Sequence, residues 1–220
     1  MIFSPSSFSQ SPLRRQVLAW LEANVPPARV AHSLRVEAMA VDLAGCHGLS
    51  LDQAAQAGLM HDLAKYFKAE RLLAMAEAHH ISLDPVDQSY PHLLHADVSA
   101  VVAQQEFGLD HPELLAAIAN HTLGRPGMSP LSGIVFLADS LEPGRGDSAE
   151  LNHLRQLSRQ DWGHAVYQTC DYTFAHLMAK RQPIHPRAVL TRNWFLAHHK
   201  VPLDNPLALA QDRGRTGCRP

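Results

Sequence analysis

Apolar residues recur near the 3.6-residue period of amphipathic helices along most of the chain. Residues that start or stop helices separate these segments. Ser11 and Pro12 precede the first segment, and Pro26–Pro27 ends it. The pattern predicts helices over 12–25, 28–46, 51–63, 68–80, 92–107, 111–123, 161–180 and 186–199.

Two of these helices are predicted to begin at a capping box, in which residues three positions apart satisfy each other's backbone amides. Ser50 with Gln53 forms the box ahead of one helix, and Asp110 with Glu113 forms the box ahead of another. Both pairs stand where the apolar periodicity begins, so they predict the starting points of these two helices.

The apolar run 133–138 is ambiguous, because it fits either a buried strand or a buried helix. Ser129–Pro130 precedes the run and favours a helix, since serine caps helices and proline suits their first position. The segment 84–91 is predicted to be a loop and 143–146 a turn, because both contain proline beside small or polar residues.

The periodic segments add up to about eight to ten helices without an internal repeat, which predicts an all-α fold with one domain. Residues 1–11 are Ser-rich and expected to be flexible. The helical bundle is expected to span 12–199. Residues 200–220 mix Pro, Gly, Arg and Asp without periodicity and are expected to form a mobile tail.

Composition excludes several classes of protein. The net charge of −2 gives no field that would attract nucleic acid or an anionic membrane. No apolar run approaches the ~18 residues of a membrane helix, and the start of the chain lacks a secretory signal, so we expect a cytoplasmic protein. Three cysteines without a CxxC pair argue against disulfides and against a thiolate zinc site.

The chain is rich in histidine, with 15 His against 19 Lys plus Arg. Five apolar stretches each contain an imidazole or a carboxylate: His32, His61–Asp62, His95, His121 and Asp139. A carboxylate among apolar residues is costly to bury, so a cation is expected beside Asp139. Imidazole with carboxylate suits iron, manganese or zinc, and a site drawn from different helices must form through the tertiary fold.

The adjacent pair His61–Asp62 sets a geometric condition. Neighbouring residues on a helix point about 100° apart, so both side chains reach a metal only where a helix end faces the site or where an ion is shared. The sequence leaves both arrangements open.

The order of these residues resembles the HD-domain metal-dependent phosphohydrolases, through His32, His61–Asp62 and Asp139. The more detailed resemblance is to the HD-domain symmetrical bis(5'-nucleosyl)-tetraphosphatases, over roughly residues 28–195. The motifs that carry it are His61-Asp62-Leu63-Ala64-Lys65, Leu94-His95, His121-Thr122-Leu123-Gly124-Arg125-Pro126 and Leu137-Ala138-Asp139-Ser140-Leu141-Glu142-Pro143.

This resemblance implies an HD-domain helical bundle with two divalent or mixed-valence metal ions in its core. Iron is the usual metal of the family, and manganese is a plausible substitute. One ion is implied on His32, His61, Asp62 and Asp139. The other is implied on His95, His121 and the second oxygen of Asp62, a catalytic residue. The implied reaction is symmetrical hydrolysis of diadenosine tetraphosphate to two ADP by a hydroxide that the ions activate.

Cations near these ligands are candidates for binding the substrate's phosphates. Lys65 follows the His-Asp pair, Arg125 lies in the Gly-rich turn after the fourth histidine, and Arg35 lies one turn after the first. Lys65 and Arg125 are also candidate catalytic residues. Thr122 and the backbone amides around Gly124 are further candidates for binding phosphate oxygens.

The chain departs from the family pattern after its third predicted histidine ligand. Ala96 stands where the family usually has glycine, Ser99 lies near a second glycine position, and Asp97 replaces a neutral or basic residue. Alanine and serine are the smallest replacements for glycine, so we expect altered packing or substrate reach and retained metal binding.

Other functions stay open at this point. An HD hydrolase could act on a nucleoside monophosphate or a guanosine polyphosphate alarmone, and a metal-containing bundle could be a non-catalytic nucleotide sensor. RNA binding would need a basic face that the charge does not indicate. Dimerisation of the bundle is left open.

Overall fold

The computed structural model describes residues 7–199, which form eleven α-helices and no β-strand. The helices are α1 (Pro12–Asn24), α2 (Pro27–Cys46), α3 (Leu51–Met60), α4 (Ala69–Ala78), α5 (Pro85–Ser89), α6 (His95–Phe107), α7 (Pro112–Asn120), α8 (Pro130–Leu141), α9 (Ala149–Gln160), α10 (Trp162–Ala179) and α11 (Pro186–His198). The predicted all-α class is confirmed. None of the helices in 7–199 combines the length and apolarity that crossing a bilayer requires.

Helix α8 lies at the centre of the bundle, which explains why its sequence is ambiguous. It packs against α2, α3, α7, α9 and α10, and residues 131–138 are all buried. A helix covered on every side needs no polar face, so its sequence carries no 3.6-residue pattern. The helix is confirmed at its predicted start, where the Ser129 side chain accepts a hydrogen bond from the Ser132 amide and Pro130 follows.

Helix α9 is missing from the sequence prediction, which assigns nothing between the turn at 143–146 and residue 161. Ser148 caps α9 by accepting from the Leu151 amide, and the helix buries Leu151, Leu154 and Ser158. Its remaining positions are mostly polar, so the apolar stripe is narrow. Leu151, Leu154 and Leu157 nevertheless recur at helical spacing after the Ser148 cap, so the local signals of a helix are present and the sequence prediction overlooks them.

Three further predictions about the helices are wrong. The predicted loop 84–91 contains α5, which Asp84 and Asp87 begin with a capping box. Helix α7 starts at Pro112 with His111 as its N-cap and without a side-chain cap, so Asp110 does not cap it. Eleven helices also exceed the predicted eight to ten.

The start of the described chain is more ordered than the sequence suggests. Residues Ser7–Gln10 form a 3₁₀ helix against α1 and α3, and Phe8 is buried in the hydrophobic core. This segment lies within the 1–11 region expected to be flexible. Residues 1–6 and the tail expected over 200–220 lie outside the described residues.

Candidate metal centre

The helix packing brings all six predicted metal ligands together, mostly at helix ends. His61 directly follows α3, His121 directly follows α7, and His95 is the first residue of α6. Asp139 lies in the last turn of α8, and His32 lies near the start of α2. Asp62 follows His61 in the turn after α3, so this helix end faces the cluster of six side chains and both members of the His-Asp pair point into it.

The two carboxylate oxygens of Asp62 face different pairs of imidazoles. Oδ1 lies 3.2 Å from Nε2 of His95 and 3.5 Å from Nε2 of His121. Oδ2 lies 3.4 Å from Nε2 of His61 and 3.8 Å from Nε2 of His32. Oδ1 is buried, and no donor in the described part of the chain makes a well-formed hydrogen bond to it. A buried anionic oxygen without a donor requires a cation nearby.

Asp139 contacts two of the clustered histidines, His32 and His61. Its Oδ1 lies 3.0 Å from Nε2 of His32 and 3.7 Å from Nε2 of His61. The side chain is only 16% exposed, and the guanidinium of Arg145 lies 2.6 Å from the same oxygen. Burial favours the neutral acid, but the hydrogen bond with His32 and the nearby positive charges hold the Asp139 pKa far below its ordinary value. The cation expected beside Asp139 is therefore Arg145.

Hydrogen bonds at Nδ1 orient all four imidazoles. Three rings donate from Nδ1 to the carbonyl oxygen three residues earlier, at 2.7 Å for His61, 2.6 Å for His95 and 2.8 Å for His121. The fourth, His32, places Nδ1 3.0 Å from Oε1 of Glu142. Because a carbonyl oxygen can only accept, Nδ1 of His61, His95 and His121 carries a proton, and Nε2 of each ring faces the cluster, as in metal-binding histidines.

The charges within the cluster suit a cation. Burial lowers the pKa of His95 to about 4, Asp62 opposes this shift, and Lys65 adds to it. Burial opposes ionisation of Asp62, but attraction to His61 and the close approach of the other imidazoles hold its pKa well below its ordinary value. Burial opposes protonation of His61, but the two carboxylates raise its pKa overall. His95 is thus neutral with an unprotonated Nε2, and Asp62 carries a full negative charge.

These residues fit a metal centre. Ligand atoms of His32, His61 and Asp139 lie within 4.8 Å of one another, and so do ligand atoms of His61, Asp62 and His121. His95 lies beside the second group through its contact with Asp62. A buried set of imidazole nitrogens and carboxylate oxygens matches the preferences of iron, manganese and zinc.

Two of the predicted phosphate-binding residues reach the cluster. Nζ of Lys65 lies 3.0 Å from Nε2 of His95, and Oγ1 of Thr122 lies 3.1 Å from the same nitrogen. Both side chains therefore lie beside His95 at the edge of the cluster, where they could bind a phosphate oxygen.

Arg35 and Arg125 are held away from the six clustered side chains. Arg35 donates from Nε and Nη2 to the carboxylate of Glu142, which in turn contacts His32. Arg125 is exposed, and its Nε donates to Asn120 Oδ1 at 3.4 Å. Neither guanidinium touches a predicted ligand.

Gly124 has a packing role in the structure. It has a positive φ of 63°, and an added Cβ would lie 2.5 Å from Cγ2 of Thr191 on α11. Thr191 also donates to the carbonyl oxygen of Leu123 at 3.0 Å, so the turn after α7 is pressed against α11. The left-handed backbone and this close approach together require glycine.

Replacing Gly124 by alanine is expected to lower the free energy of unfolding by roughly 1–3 kcal/mol, because a left-handed alanine is strained and its methyl group collides with Thr191. Urea denaturation measures the change. Gly108→Ala is the matched control, since Gly108 has a φ of 65° with nothing within 4 Å of an added Cβ. Equal losses in both variants would show that the contact with Thr191 contributes nothing.

The departures from the family pattern have local partners. Asp97 pairs with Arg187 on α11 at 3.0 Å, and Ser99 Oγ accepts from the backbone amide of Ala64 at 2.9 Å. Ala96 is fully buried. The Ser99 contact supports the turn that carries Asp62, so these residues are part of the packing around the cluster and none of them displaces a ligand.

Sequence reasoning missed three residues in contact with the cluster. Glu142 contacts His32, Arg145 contacts Asp139, and Arg29 donates from Nη1 to Asp62 Oδ2 at 2.9 Å. Each of these three residues had a feature in the sequence that could have identified it. Glu142 belongs to the Leu-Ala-Asp-x-x-Glu-Pro motif, Arg145 follows a buried carboxylate that needs a cation, and Arg29 lies three residues before a predicted ligand on one helix face.

A cavity of about 560 Å³ opens beside the cluster. His121, Thr122, Asp139 and Arg145 line its polar side. The rest of its wall is mainly apolar and aromatic, with contributions from Leu123, Phe136, Leu151, Phe174, Leu177 and Ile184. Its volume is typical of small-molecule sites, which combine apolar walls with a few polar groups.

Comparison with known proteins agrees with this geometry. Residues 29–144 match the HD domain family. The chain is 32% identical to the symmetrical bis(5'-nucleosyl)-tetraphosphatase of Bacillus subtilis over 184 residues, covering 84% of this chain and 98% of that protein. It is 30% identical to the protein of the same name from Halalkalibacterium halodurans, covering 85% of this chain and 99% of that one.

A solved structure has the same fold. It is the crystal structure of a predicted HD superfamily hydrolase involved in NAD metabolism from Clostridium acetobutylicum, with a TM-score of 0.80 and 31% sequence identity. The similarity covers 84% of this chain and 97% of that one. The HD-domain bundle implied by the sequence motifs is confirmed. The chain belongs to the HD-domain family and, within it, to the family of symmetrical bis(5'-nucleosyl)-tetraphosphatases.

Proposed function

We propose that this protein is a metal-dependent hydrolase that cleaves diadenosine tetraphosphate symmetrically into two molecules of ADP. The observation that carries this proposal is the buried Asp62 carboxylate, whose two oxygens face two separate pairs of imidazoles beside a cavity. The relatives from B. subtilis and H. halodurans, which match almost over their full lengths, are named for this reaction.

The proposed ligand sets follow the division of the Asp62 oxygens. One ion would be held by His32, His61, Asp139 and Oδ2 of Asp62. The other would be held by His95, His121 and Oδ1 of Asp62. Such a pair of ions supplies an activated water nucleophile and neutralises negative charge on the phosphate that is attacked. Iron is the proposed metal and manganese its proposed substitute, because nitrogen and oxygen ligands suit both.

The chain's own residues bind and orient the substrate. The carbonyl oxygens that accept from Nδ1 keep three imidazoles fixed, so the ligand geometry is set before substrate arrives. Lys65 and Thr122 can bind phosphate oxygens at the His95 side. The apolar walls of the cavity can enclose one nucleoside and exclude water from it. The cytoplasmic location stays a prediction from the sequence, and dimerisation stays open.

Analysis of the products tests the reaction. Metal-loaded protein incubated with diadenosine tetraphosphate is expected to release ADP as the sole nucleotide product, as resolved by ion-exchange chromatography. AMP together with ATP would contradict symmetrical cleavage. Cleavage of other nucleotides without turnover of this substrate would favour a different HD hydrolase.

Removal of the metal completes this test. A chelator is expected to stop turnover, and added manganese or anaerobic iron is expected to restore it. If chelation unfolds the protein while the metal-loaded form cleaves no phosphoanhydride, the metal is structural and the proposed reaction is wrong.

A further inference from the structure

Arg145 is the one lysine or arginine that lines the cavity within the part of the chain that the structure describes. It follows α8 in a short 3₁₀ helix, Pro143–Arg145, and its side chain is 40% exposed. The other lining residues are apolar or neutral, apart from Asp139 and the titratable side chains of His92, His121, His176 and His185. A substrate with several negative charges that enters this cavity therefore meets its permanent positive charge at Arg145.

Two hydrogen bonds to Asp139 fix the Nε and Nη2 edge of the Arg145 guanidinium. Its Nε donates to the backbone carbonyl of Asp139 at 2.8 Å, and its Nη2 donates to Oδ1 of the same residue at 2.6 Å. Neither bond uses Nη1, which has no hydrogen-bond partner among residues 7–199. An arginine held in this way offers preorganised donors, so binding an anion costs little additional side-chain entropy.

Arg145 lies between the cavity and the metal cluster. Asp139 Oδ1 contacts both Arg145 and His32, so the guanidinium lies next to the metal cluster as well as on the cavity wall. A nucleoside enclosed by the apolar walls would point its phosphate chain toward the cluster. In symmetrical cleavage, the bond that breaks lies directly beyond the second phosphate from that nucleoside.

We propose that Arg145 binds the β-phosphate of the ADP half that occupies the cavity, and that it thereby makes the site prefer diphosphates. This inference rests on the proposed function. Arg145 would hold the same phosphate in the substrate and, after cleavage, in the ADP product. It adds a positively charged donor, which none of the sequence-predicted cations, Lys65, Arg35 or Arg125, supplies from the cavity wall.

Calorimetric titration of the metal-loaded protein with ADP, AMP and adenosine tests this role. Arg145→Gln is expected to weaken ADP binding roughly 10–100-fold, which corresponds to losing charge-assisted hydrogen bonds to a phosphate. Adenosine binding is expected to be unchanged, because the apolar walls remain. Arg145→Lys keeps a point charge without the planar fork, so its preference for ADP over adenosine should lie between those of Arg145→Gln and the wild type.

Arg159→Gln is the matched control, because Arg159 pairs with Asp42 on the surface and does not line the cavity. It should bind all three compounds as the wild type does. Metal content, measured on every variant, distinguishes phosphate binding from a role exerted through Asp139. Loss of metal in Arg145→Gln, or an unchanged ratio of ADP to adenosine affinity in either folded Arg145 variant, overturns the proposal.

Turnover by the wild type tests the proposed function separately. A protein that fails to cleave diadenosine tetraphosphate but prefers ADP through Arg145 would refute the reaction and support the phosphate site. A protein that cleaves the substrate, and whose ADP affinity does not depend on Arg145, would support the reaction and refute the phosphate site.

Discussion

Replacing Asp62 by alanine is expected to remove the bound metal and to abolish turnover of diadenosine tetraphosphate. This carboxylate stands between both pairs of imidazoles and is the shared member of the two proposed ligand sets. Loss of a residue that only supports a ligand commonly costs about 10–100-fold in metal affinity or activity, and loss of the shared ligand should cost more. Elemental analysis under anaerobic conditions and product chromatography measure the two losses.

Asp62→Asn keeps the volume of the side chain and removes its charge, so it separates ligand chemistry from packing. It should fold, as judged by circular dichroism, and still lose metal and turnover. Asp42→Ala removes a surface carboxylate that pairs with Arg159, and it should retain both. Wild-type metal content and turnover in either Asp62 variant would disprove the proposed centre.

Replacing Glu142 by glutamine is expected to lower metal affinity by about 10–100-fold. Glu142 is buried, and its carboxylate contacts Nδ1 of His32 as well as the guanidinium of Arg35. Burial alone would raise its pKa, but the hydrogen bonds with Arg35 and His32 lower it to about 2, so the residue is ionised at neutral pH. Loss of this charge makes His32 a weaker base and leaves its ring less firmly oriented. Competition with a fluorescent chelator measures the affinity.

Glu37→Gln is a suitable control for the Glu142 variant. Glu37 is another buried carboxylate, and it pairs with Arg14 through two hydrogen bonds without contacting the cluster. The control should lose stability in urea and keep its metal affinity. Similar metal affinities in the two glutamine variants would mean that Glu142 only contributes to packing.

The helices could be predicted from the sequence where their caps and apolar faces are strong. Ser129 and Pro130 identified the start of α8, and Ser50 accepts from the Gln53 amide as its predicted capping role requires. The sequence prediction misses helix α9 although both signals are present, a Ser148 cap and leucines at 151, 154 and 157, which pack on α8 and α10.

The residues of the candidate metal centre could also be proposed from the sequence, but their supporting contacts could not. Histidines and aspartates in apolar stretches are unusual enough to stand out in a sequence. Nothing in the sequence states that Arg35 points to Glu142, or that Gly124 packs against Thr191. Such contacts join residues far apart along the chain, and they depend on how the helices pack.

The sequence by itself determined the helical class, the family motifs and the six side chains of the candidate centre, because capping, periodicity and burial cost are local properties of the chain. The tertiary structure alone decided that helix ends converge on one point, that the oxygens of Asp62 face different histidines, and that Arg145 is the arginine on the cavity wall. These features depend on ångström-scale distances between packed helices, and residue types and their spacing along the chain do not specify such distances.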